Sequence, residues 1–348
     1  MLVVLFHLGY TFSIDRFFGL PVFGIPFSFG ASGVSFFFVL SGFIILSAHR
    51  NELFQPRALA DYTWKRLTRI YPAYWIVFLG TFCGALAISS MRDKVPHDVA
   101  VILKGLLLIP QQLPGNTTGA PVIIVAWTLQ YEMFFYLFFA CMILSRWLSL
   151  VAGTVILSIY FLYRGDPSLP LVLSFLSQDY ILLFVMGMLV AFITGSEKIN
   201  IRWPQYYGVV GAVLFVIASV DTIGGSDTLK TWTTMIYGVA SSLIILALVK
   251  LEDRGQVILG GSKMQTLGAA SYALYLTHFP LISILCNICL KLNLNRYGFA
   301  GAIPAFIVIL IICVLVSVAF HLWVERPVAA YLKRIKPGRG QAAYGNAA

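Results

Sequence analysis

Charged side chains are scarce in this sequence. Asp, Glu, Lys and Arg make up only 11% of the 348 residues, whereas 59% are apolar and the mean hydropathy is +0.87. A soluble protein carries roughly 25% charged residues to keep its surface hydrated. The composition therefore excludes a water-soluble globular protein and predicts a chain whose main solvent is lipid.

Cysteine is also rare. The five cysteines lie in apolar stretches, and the Cys286-x-x-Cys289 pair has no second pair or His partner nearby in sequence. We therefore predict neither a metal or redox site nor a bound cofactor. The net charge of +10 comes from Lys and Arg between apolar runs and at their ends. This distribution is typical of a membrane protein and argues against nucleic acid as a partner.

The apolar runs predict an all-α, polytopic membrane helix bundle, because a helix needs about 20 apolar residues to cross the hydrocarbon core. Residues 1–335 should form this single domain, with a disordered Gly/Ala-rich tail over 336–348. The segment 99–109 should lie along the membrane surface as an interfacial helix. The roughly ten predicted spans are 1–12 (a truncated first helix), 28–48, 70–90, 123–145, 147–163, 172–194, 206–222, 232–250, 270–290 and 301–324.

The basic residues predict the orientation of the bundle. Sixteen of the 24 Lys and Arg fall in one set of alternate segments, namely 49–69, the residues around 146, 195–205, 250–264 and the C-terminal segment. Loops rich in Lys and Arg stay in the cytoplasm. We therefore expect a multi-pass protein of the cell (inner or plasma) membrane with both termini cytoplasmic.

Glu132 is the most unusual side chain in the predicted spans. It lies near the bilayer centre, where a carboxylate costs roughly 2.5–3.5 kcal/mol on insertion scales. Thr128 one turn before it and Tyr136 one turn after it share its helix face. A polar cavity or a partner would offset that cost, so Glu132 is a candidate catalytic residue. The alternative is a protonated structural Glu bonded to a neighbouring helix.

His7 is the second candidate catalytic residue. At about 1.5 Å of rise per residue, its depth differs from that of Glu132 by only about 6 Å, so the two could meet in one cavity. An imidazole that titrates near neutral pH suits a general base acting on a hydroxyl group. A carboxylate could fix its tautomer or stabilise the imidazolium. The alternative is a core His satisfied by a helix carbonyl.

Two basic residues stand at the start of the third predicted span. The spacing of Arg66 and Arg69 puts both on one helix face, and Arg is suited to bidentate phosphate contacts. Ordinary anchoring at the cytoplasmic interface, or contact with anionic lipid, is the alternative and by itself the stronger interpretation.

Three further histidines carry weaker signals. His278 shares a face of the ninth span with Tyr275, which favours a polar packing seam over a substrate contact. His321 and Glu325, one turn apart at the end of the last span, indicate an interfacial anchor. His49 lies in a loop and carries little signal.

These features together resemble the acyltransferase 3 family of membrane O-acyltransferases. The segment 127–136 fits the family pattern W-[ST]-L-x-x-E-x-x-F-Y at every fixed position. Five segments follow the family's order, so the resemblance covers nearly the whole chain. They are 33–45 (GVSFFFVLSGFII), 66–75 (RLTRIYPAYW), 127–136 (WTLQYEMFFY), 271–280 (SYALYLTHFP) and 325–327 (ERP).

The resemblance implies that acyl-CoA, with acetyl as the expected acyl group, is a co-substrate entering from the cytoplasm. Arg66 and Arg69 would hold its phosphates. His7 would act as general base on a sugar hydroxyl or carry the acyl group, and Glu132 would orient it or position the acceptor. The acceptor would be a polysaccharide, a lipid-linked glycan or another glycoside, or a partner protein would receive the acyl group. The remaining candidates for the substrate pocket are Ser41, Trp127, Thr128, Tyr136 and His278.

The sequence departs from the family pattern at two places. Ser35 stands where Asp is common, so no carboxylate role is expected there. The family also carries an Arg eleven residues before its essential His, a position that would precede Met1. Together with the short first span, this predicts a start site placed too late; the alternative is a truncated protein.

A secondary transporter is the main alternative to an acyltransferase, because transporters also combine about ten spans with carboxylates near the bilayer centre. The sequence has no paired halves with matching interrupted helices, and a transporter would leave the segments around Arg66 and Glu132 unexplained. A structural scaffold is a more distant alternative, since it would not need a buried Glu132.

Overall fold

A computed structural model describes residues 1–88, 92, 95–113, 118–166, 168–225, 228–256, 258 and 260–335. These residues form helices joined by turns and contain no β-strand, which confirms the all-α prediction. The tail 336–348, predicted to be disordered, lies outside the described residues.

The α-helices of the described residues are, in chain order, α1 Leu2–Ser13, α2 Ser32–His49, α3 Leu59–Ala87, α4 Val99–Leu106, α5 Trp127–Leu144, α6 Arg146–Tyr163, α7 Leu171–Leu176, α8 Tyr180–Thr194, α9 Pro204–Ile223, α10 Thr233–Glu252, α11 Ser262–Ala269, α12 Ser271–Lys291, α13 Phe299–Phe320 and α14 Arg326–Arg334. Short 3₁₀ turns flank several of them, and a π-helical turn, His321–Glu325, joins α13 to α14.

Nine helical segments within the described ranges are long and apolar enough to cross a membrane, and α1 is a shorter apolar helix of 12 residues. The bundle therefore matches the prediction of about ten spans with a short first helix. The helix α3 begins at Leu59 rather than near residue 70. Its first turns carry charged side chains, so a search for apolar runs finds only the part that lipid would cover.

The predicted span 172–194 is interrupted between α7 and α8. At the break, Asp179 accepts hydrogen bonds from Nε of Arg164 at 2.8 Å and from the hydroxyl of Tyr160 at 2.8 Å. The hydrogen bond to Asp179 raises the pKa of the Arg164 guanidinium above its ordinary value. Apolar composition does not indicate this break, because the ion pair beside it joins Arg164, just after α6, to Asp179, just before α8.

The segment 99–109 is helical only in part. Only α4 is helical, and side chains near the middle of α3 donate hydrogen bonds to its last carbonyls. These bonds run from Tyr74 to Gly105 (2.7 Å), from Trp75 to Leu106 (2.9 Å) and from Tyr71 to Leu107 (3.0 Å). Carbonyls at a helix end need partners when water is absent. The end of α4 is therefore bound to α3, while Val99, Leu103 and Leu107 stay exposed. The position of this segment at a membrane surface stays a prediction.

The basic loops lie together at one end of the bundle, which we call the basic side. A single cavity joins the start of α3 to α14. Four hydrogen bonds connect the other basic loops to one another or to the helix ends beside them. They run from Arg50 to the Gly195 carbonyl, from the Phe54 amide to the Met142 carbonyl, from Lys250 to the Thr194 carbonyl and from Arg254 to the Ile201 carbonyl. The grouping of the basic segments on one side is thus confirmed.

Glycine permits close contact between α2 and α8. Gly42 faces the backbone of Phe184, and Gly187 faces the carbonyl of Val39 so closely that an added Cβ would clash. Small residues at helix crossings let two backbones approach within a membrane. This contact fixes α2, and therefore the aromatic side chains around the site, against α8.

We expect Gly187→Ala to destabilise the protein by about 1–3 kcal/mol, the usual cost of overpacking a well-filled interior. The matched control is Gly84→Ala, because an added Cβ at Gly84 meets no atom within 4 Å. Thermal unfolding of both variants in the same detergent, followed by tryptophan fluorescence, measures the difference. Equal melting temperatures for the two variants would contradict this account of the helix crossing.

Candidate active site

Glu132 is buried on α5, with 6% of its surface exposed. The hydroxyl of Tyr136 donates a hydrogen bond to its Oε1 at 2.5 Å, and Tyr62 donates to the Tyr136 carbonyl at 2.9 Å. Arg66 and Arg69 lie close enough for their charges to act on the carboxyl group. The structure therefore places Glu132 toward the basic side, with both a hydrogen-bond donor and positive charges around it.

Arg66 is turned into the bundle. It donates a hydrogen bond to Nε2 of His49, and its guanidinium carbon lies 5.6 Å from the centre of the Tyr136 ring. His49 is 2% exposed, and its Nδ1 donates to Glu52 at 2.7 Å. The His49 imidazole, itself bound to the Glu52 carboxylate, therefore holds Arg66 in place. His49 was expected to be a loop residue with little signal; its three-residue spacing to Glu52 could have indicated this contact.

Arg69 faces a different environment from that of Arg66. It lines a cavity of about 750 Å³ on the basic side, which we call the basic cavity. The polar residues around this cavity are Lys65, Thr68, Arg69, His321, Glu325, Arg326 and Lys333. Two of the four cations, Arg326 and Lys333, come from α14. No pattern in the sequence assigned these two residues to a site. His321 and Glu325 also belong to this cavity, where Nδ1 of His321 lies 2.9 Å from Oε2 of Glu325, within hydrogen-bond distance.

His7 lies on α1 and lines a smaller cavity of about 280 Å³, the His7 cavity, together with Tyr10, Ile124, Phe279 and Ser283 among others. Its ring centre is 5.3 Å from that of His278 and 5.2 Å from that of Phe279. The side chain is half-buried, so the imidazole faces a space in which a substrate atom could lie.

His278 is fully buried on α12. Its Nδ1 lies 2.8 Å from the Tyr275 carbonyl and 3.0 Å from the Leu274 carbonyl, and two carbonyl oxygens can only accept. Nδ1 therefore carries the proton, and Nε2 is left as an acceptor. This Nε2 is buried without a hydrogen-bond partner. His278 is thus an incompletely satisfied polar group directly beside His7.

A series of polar side chains connects the two candidate catalytic residues. The hydroxyl groups of Thr128 and Tyr275 are 2.6 Å apart, and the Tyr275 ring centre is 5.9 Å from that of His278. Thr128 lies one turn from Glu132 on the same face of α5. We call this series the polar column; its members are His7, His278, Tyr275, Thr128, Glu132 and Tyr136.

His7 and Glu132 belong to one column but are not partners. No hydrogen bond, ion pair or ring contact of the described residues joins the two side chains. The group beside His7 is His278, and the groups around Glu132 are Tyr136, Arg66 and Arg69.

The family of this chain follows from its match to a known family model. The model of the acyltransferase 3 family, described as an acyltransferase domain, matches residues 1–322. The chain belongs to the acyltransferase 3 family. It is therefore a multi-pass membrane enzyme that transfers acyl groups, and this favours an enzyme over a secondary transporter.

Several curated proteins are similar to this acyltransferase. The exopolysaccharide production protein ExoZ of Rhizobium meliloti (strain 1021) is 28% identical over 313 residues, which cover 87% of this chain and 91% of ExoZ. The acyltransferase MdmB of Streptomyces mycarofaciens is 24% identical over 88% of this chain and 83% of its own length. The O-acetyltransferase OatA of Staphylococcus aureus (strain NCTC 8325 / PS 47) is 23% identical, over 86% of this chain and 52% of OatA. No solved structure matches the acyltransferase.

The two remaining candidates for the substrate pocket of the acyltransferase lie apart from the polar column. Trp127 lines a third cavity, which opens away from the basic side. Ser41 is half-buried on α2 and lines none of the cavities described here. Its role in substrate contact stays a prediction.

Cys286 and Cys289 are buried free thiols. Among the described residues, no group of three or more His, Cys, Asp or Glu side chains is placed to hold a metal ion.

Proposed function

We propose that this acyltransferase moves an acetyl group from cytoplasmic acetyl-CoA to a hydroxyl group of a carbohydrate. The observation that carries the proposal is the polar column. At one end Glu132 lies near Arg69, which lines the basic cavity, and at the other end His7 lines the His7 cavity. The names of two relatives support the substrates, since ExoZ is named for exopolysaccharide production and OatA for O-acetyl transfer.

The basic cavity is the proposed entry site for the donor. Coenzyme A carries several phosphate groups, and Lys65, Arg69, Arg326 and Lys333 line one space with a single carboxylate, Glu325. Arg and Lys side chains bind phosphate through charge-assisted hydrogen bonds. The excess of Lys and Arg on this side favours a cytoplasmic location, where acyl-CoA is available.

His7 is the proposed general base. Its imidazole takes the proton of the acceptor hydroxyl, and the hydroxyl oxygen attacks the carbonyl carbon of the thioester. The tetrahedral intermediate then collapses as its carbon–sulfur bond breaks. The coenzyme A thiolate leaves and takes the proton from the His7 imidazolium, so the products are an ester and free coenzyme A.

His278 and Glu132 have separate roles in this proposal. The Nε2 lone pair of His278 lies beside His7 and can accept its N–H, which would leave the other nitrogen of His7 free to act as the base. Glu132 would balance the charges of Arg66 and Arg69 at the donor end of the polar column, where it accepts the hydrogen bond of Tyr136. It therefore acts on the donor side rather than as an orienting partner of His7.

The direct test uses the purified protein in lipid nanodiscs with radiolabelled acetyl-CoA and a bacterial exopolysaccharide or its oligosaccharides. We expect label to pass to the carbohydrate as an alkali-labile ester, together with one equivalent of free coenzyme A. Transport of an unmodified solute into vesicles without acetyl-CoA, with no labelled ester formed, would overturn the proposal in favour of a transporter.

In the same assay, Arg69→Ala and Lys333→Ala should each raise the Michaelis constant for acetyl-CoA by about tenfold or more. Each variant loses one charge-assisted hydrogen bond, which contributes roughly 1.5–3 kcal/mol. The matched control is Arg334→Ala, because Arg334 is on the same helix as Lys333 but does not line the basic cavity. Unchanged donor constants in both test variants would rule out phosphate binding in this cavity.

A further inference from the structure

The cavity beside Trp127 is not used by the mechanism above. It has a volume of about 650 Å³, lies between the loop before α5 and the break between α7 and α8, and is here called the loop-side cavity. Its volume falls within the roughly 300–1,000 Å³ typical of ligand sites. The described residues around it carry amide, hydroxyl and aromatic side chains, among them Gln111, Gln112, Trp127, Gln130, Tyr131 and Gln178.

Three amide side chains of the loop-side cavity are held in fixed orientations. Each donates one N–H to a backbone carbonyl: Gln111 to Val101 (3.2 Å), Gln130 to Gly119 (3.2 Å) and Gln178 to Ser174 (3.1 Å). A glutamine amide has a second N–H and a carbonyl oxygen. Each side chain therefore presents a donor and an acceptor whose direction is already set, which lowers the entropy lost on binding a ligand.

The aromatic residues form a packed group next to these amides. The rings of Tyr131 and Phe175 stack with their centres 3.9 Å apart, and Tyr180 packs against both Tyr131 (5.3 Å) and Trp127 (5.1 Å). Because each ring is held by its neighbours, the group offers a rigid apolar surface. The C–H face of a pyranose ring is apolar, whereas its hydroxyl groups both donate and accept, so aromatic rings beside oriented amides match both parts of a sugar.

The lining of the loop-side cavity carries no charge among the described residues. No Lys, Arg, Asp, Glu or His is among the described residues that line it. A carboxylate or phosphate buried there would lose its hydration without gaining a counter-charge. The chemistry therefore favours a neutral sugar over a uronic acid or a phosphorylated one.

We propose that the loop-side cavity binds a neutral pyranose segment of the acceptor glycan. The position fits this role, because Trp127 lines the cavity while its neighbour Thr128 belongs to the polar column that leads to His7. The inference rests on the proposed function for the identity of the acceptor, but the binding itself can be measured without any transfer reaction.

The test measures binding of neutral tetrasaccharides to the protein in nanodiscs by saturation-transfer NMR and calorimetry. Alkyl glycoside detergents must be absent, because their sugar headgroups would compete for the site. The neutral probes are cellotetraose, maltotetraose, laminaritetraose and mannotetraose, and the anionic probe is tetragalacturonic acid. We expect at least one neutral probe to bind and the anionic probe not to bind.

The variants are Gln178→Ala and the double variant Gln112→Ala/Gln178→Ala, both at exposed positions where folding should not depend on the amide. The expected loss of affinity is about three- to tenfold for the single variant and about tenfold or more for the double variant. Gln265→Ala is the matched control, because the Gln265 amide also donates to a backbone carbonyl, that of Gly260, but lies outside the cavity. It should bind like the unaltered protein.

The outcomes separate this inference from the proposed function. The inference is wrong if no neutral probe binds, if tetragalacturonic acid binds as tightly as the neutral probes, or if the double variant keeps full affinity. Acetyl transfer with an unchanged acceptor Michaelis constant in the double variant would overturn the cavity assignment while leaving the proposed function intact. Binding that is lost in the variants, without acetyl transfer by the unaltered protein, would support the cavity assignment and overturn the proposed function.

Discussion

Replacement of His7 by Ala is expected to lower the rate of acetyl transfer by about 10²–10⁴-fold, the usual contribution of a general base. The acceptor hydroxyl would have to lose its proton without a base beside it, whereas donor binding on the basic side should be unchanged. Initial rates of ester formation at saturating acetyl-CoA, with the donor dissociation constant measured separately, provide the test.

The matched control for His7 is His97→Ala. His97 is exposed in the segment before α4 and touches no member of the polar column. It should retain full activity. Comparable rates for the His7→Ala variant and the unaltered protein would refute the assignment of the base. Incubation with labelled acetyl-CoA alone separates the two possible roles of His7, because only an acyl carrier would leave acid-labile label on the protein.

Glu132→Gln is expected to lower the specificity constant for acetyl-CoA by about 10–100-fold. The amide oxygen can still accept the hydrogen bond from Tyr136, but the negative charge that we propose for Glu132 beside Arg66 and Arg69 is lost. Interactions with a charged partner contribute roughly 1.5–3 kcal/mol, which corresponds to this range. Steady-state kinetics with acetyl-CoA as the varied substrate measure the change.

Two comparisons sharpen the test of Glu132. Glu252→Gln, an exposed carboxylate at the end of α10, is the control and should not alter the kinetics. In the Glu132 variant the acceptor Michaelis constant should stay unchanged, because the carboxyl group acts on the donor side. A defect confined to the acceptor, with normal donor kinetics, would instead support the earlier idea that Glu132 positions the acceptor or orients His7.

The sequence indicates how deep a side chain lies in the membrane, but not which other side chain it contacts. Hydropathy and helical rise placed His7 and Glu132 at similar depths, which suggested that they could face each other. In the structure, α12 places His278 beside His7. Depth follows from one helix at a time, whereas the neighbour of a side chain depends on how three helices are rotated about their axes.

The lining of the basic cavity also could not be predicted from the sequence alone. The spacing of Arg66 and Arg69 predicts one shared helix face, but the two side chains lie in different environments. Hydrogen bonding to His49 turns Arg66 inward, while Arg69 meets Arg326 and Lys333 from the far end of the chain. Contacts between residues this far apart in sequence leave no local pattern, so only the folded chain reveals them.

The sequence by itself determined that this chain is a helical membrane bundle and a member of an acyltransferase family, and it determined which segments share a side. The bundle and the shared sides follow from local composition, because lipid selects apolar helices of a given length and the positive charges between them orient the bundle. The family follows instead from motifs such as the segment 127–136 (WTLQYEMFFY). Only the tertiary structure decided the hydrogen bonds that join α4 to α3, the interruption before α8, the neighbour of His7 and the loop-side cavity, which has no charged side chain among its described residues. Each of these depends on hydrogen bonds and ring contacts between separate helices, which form only when the helices pack.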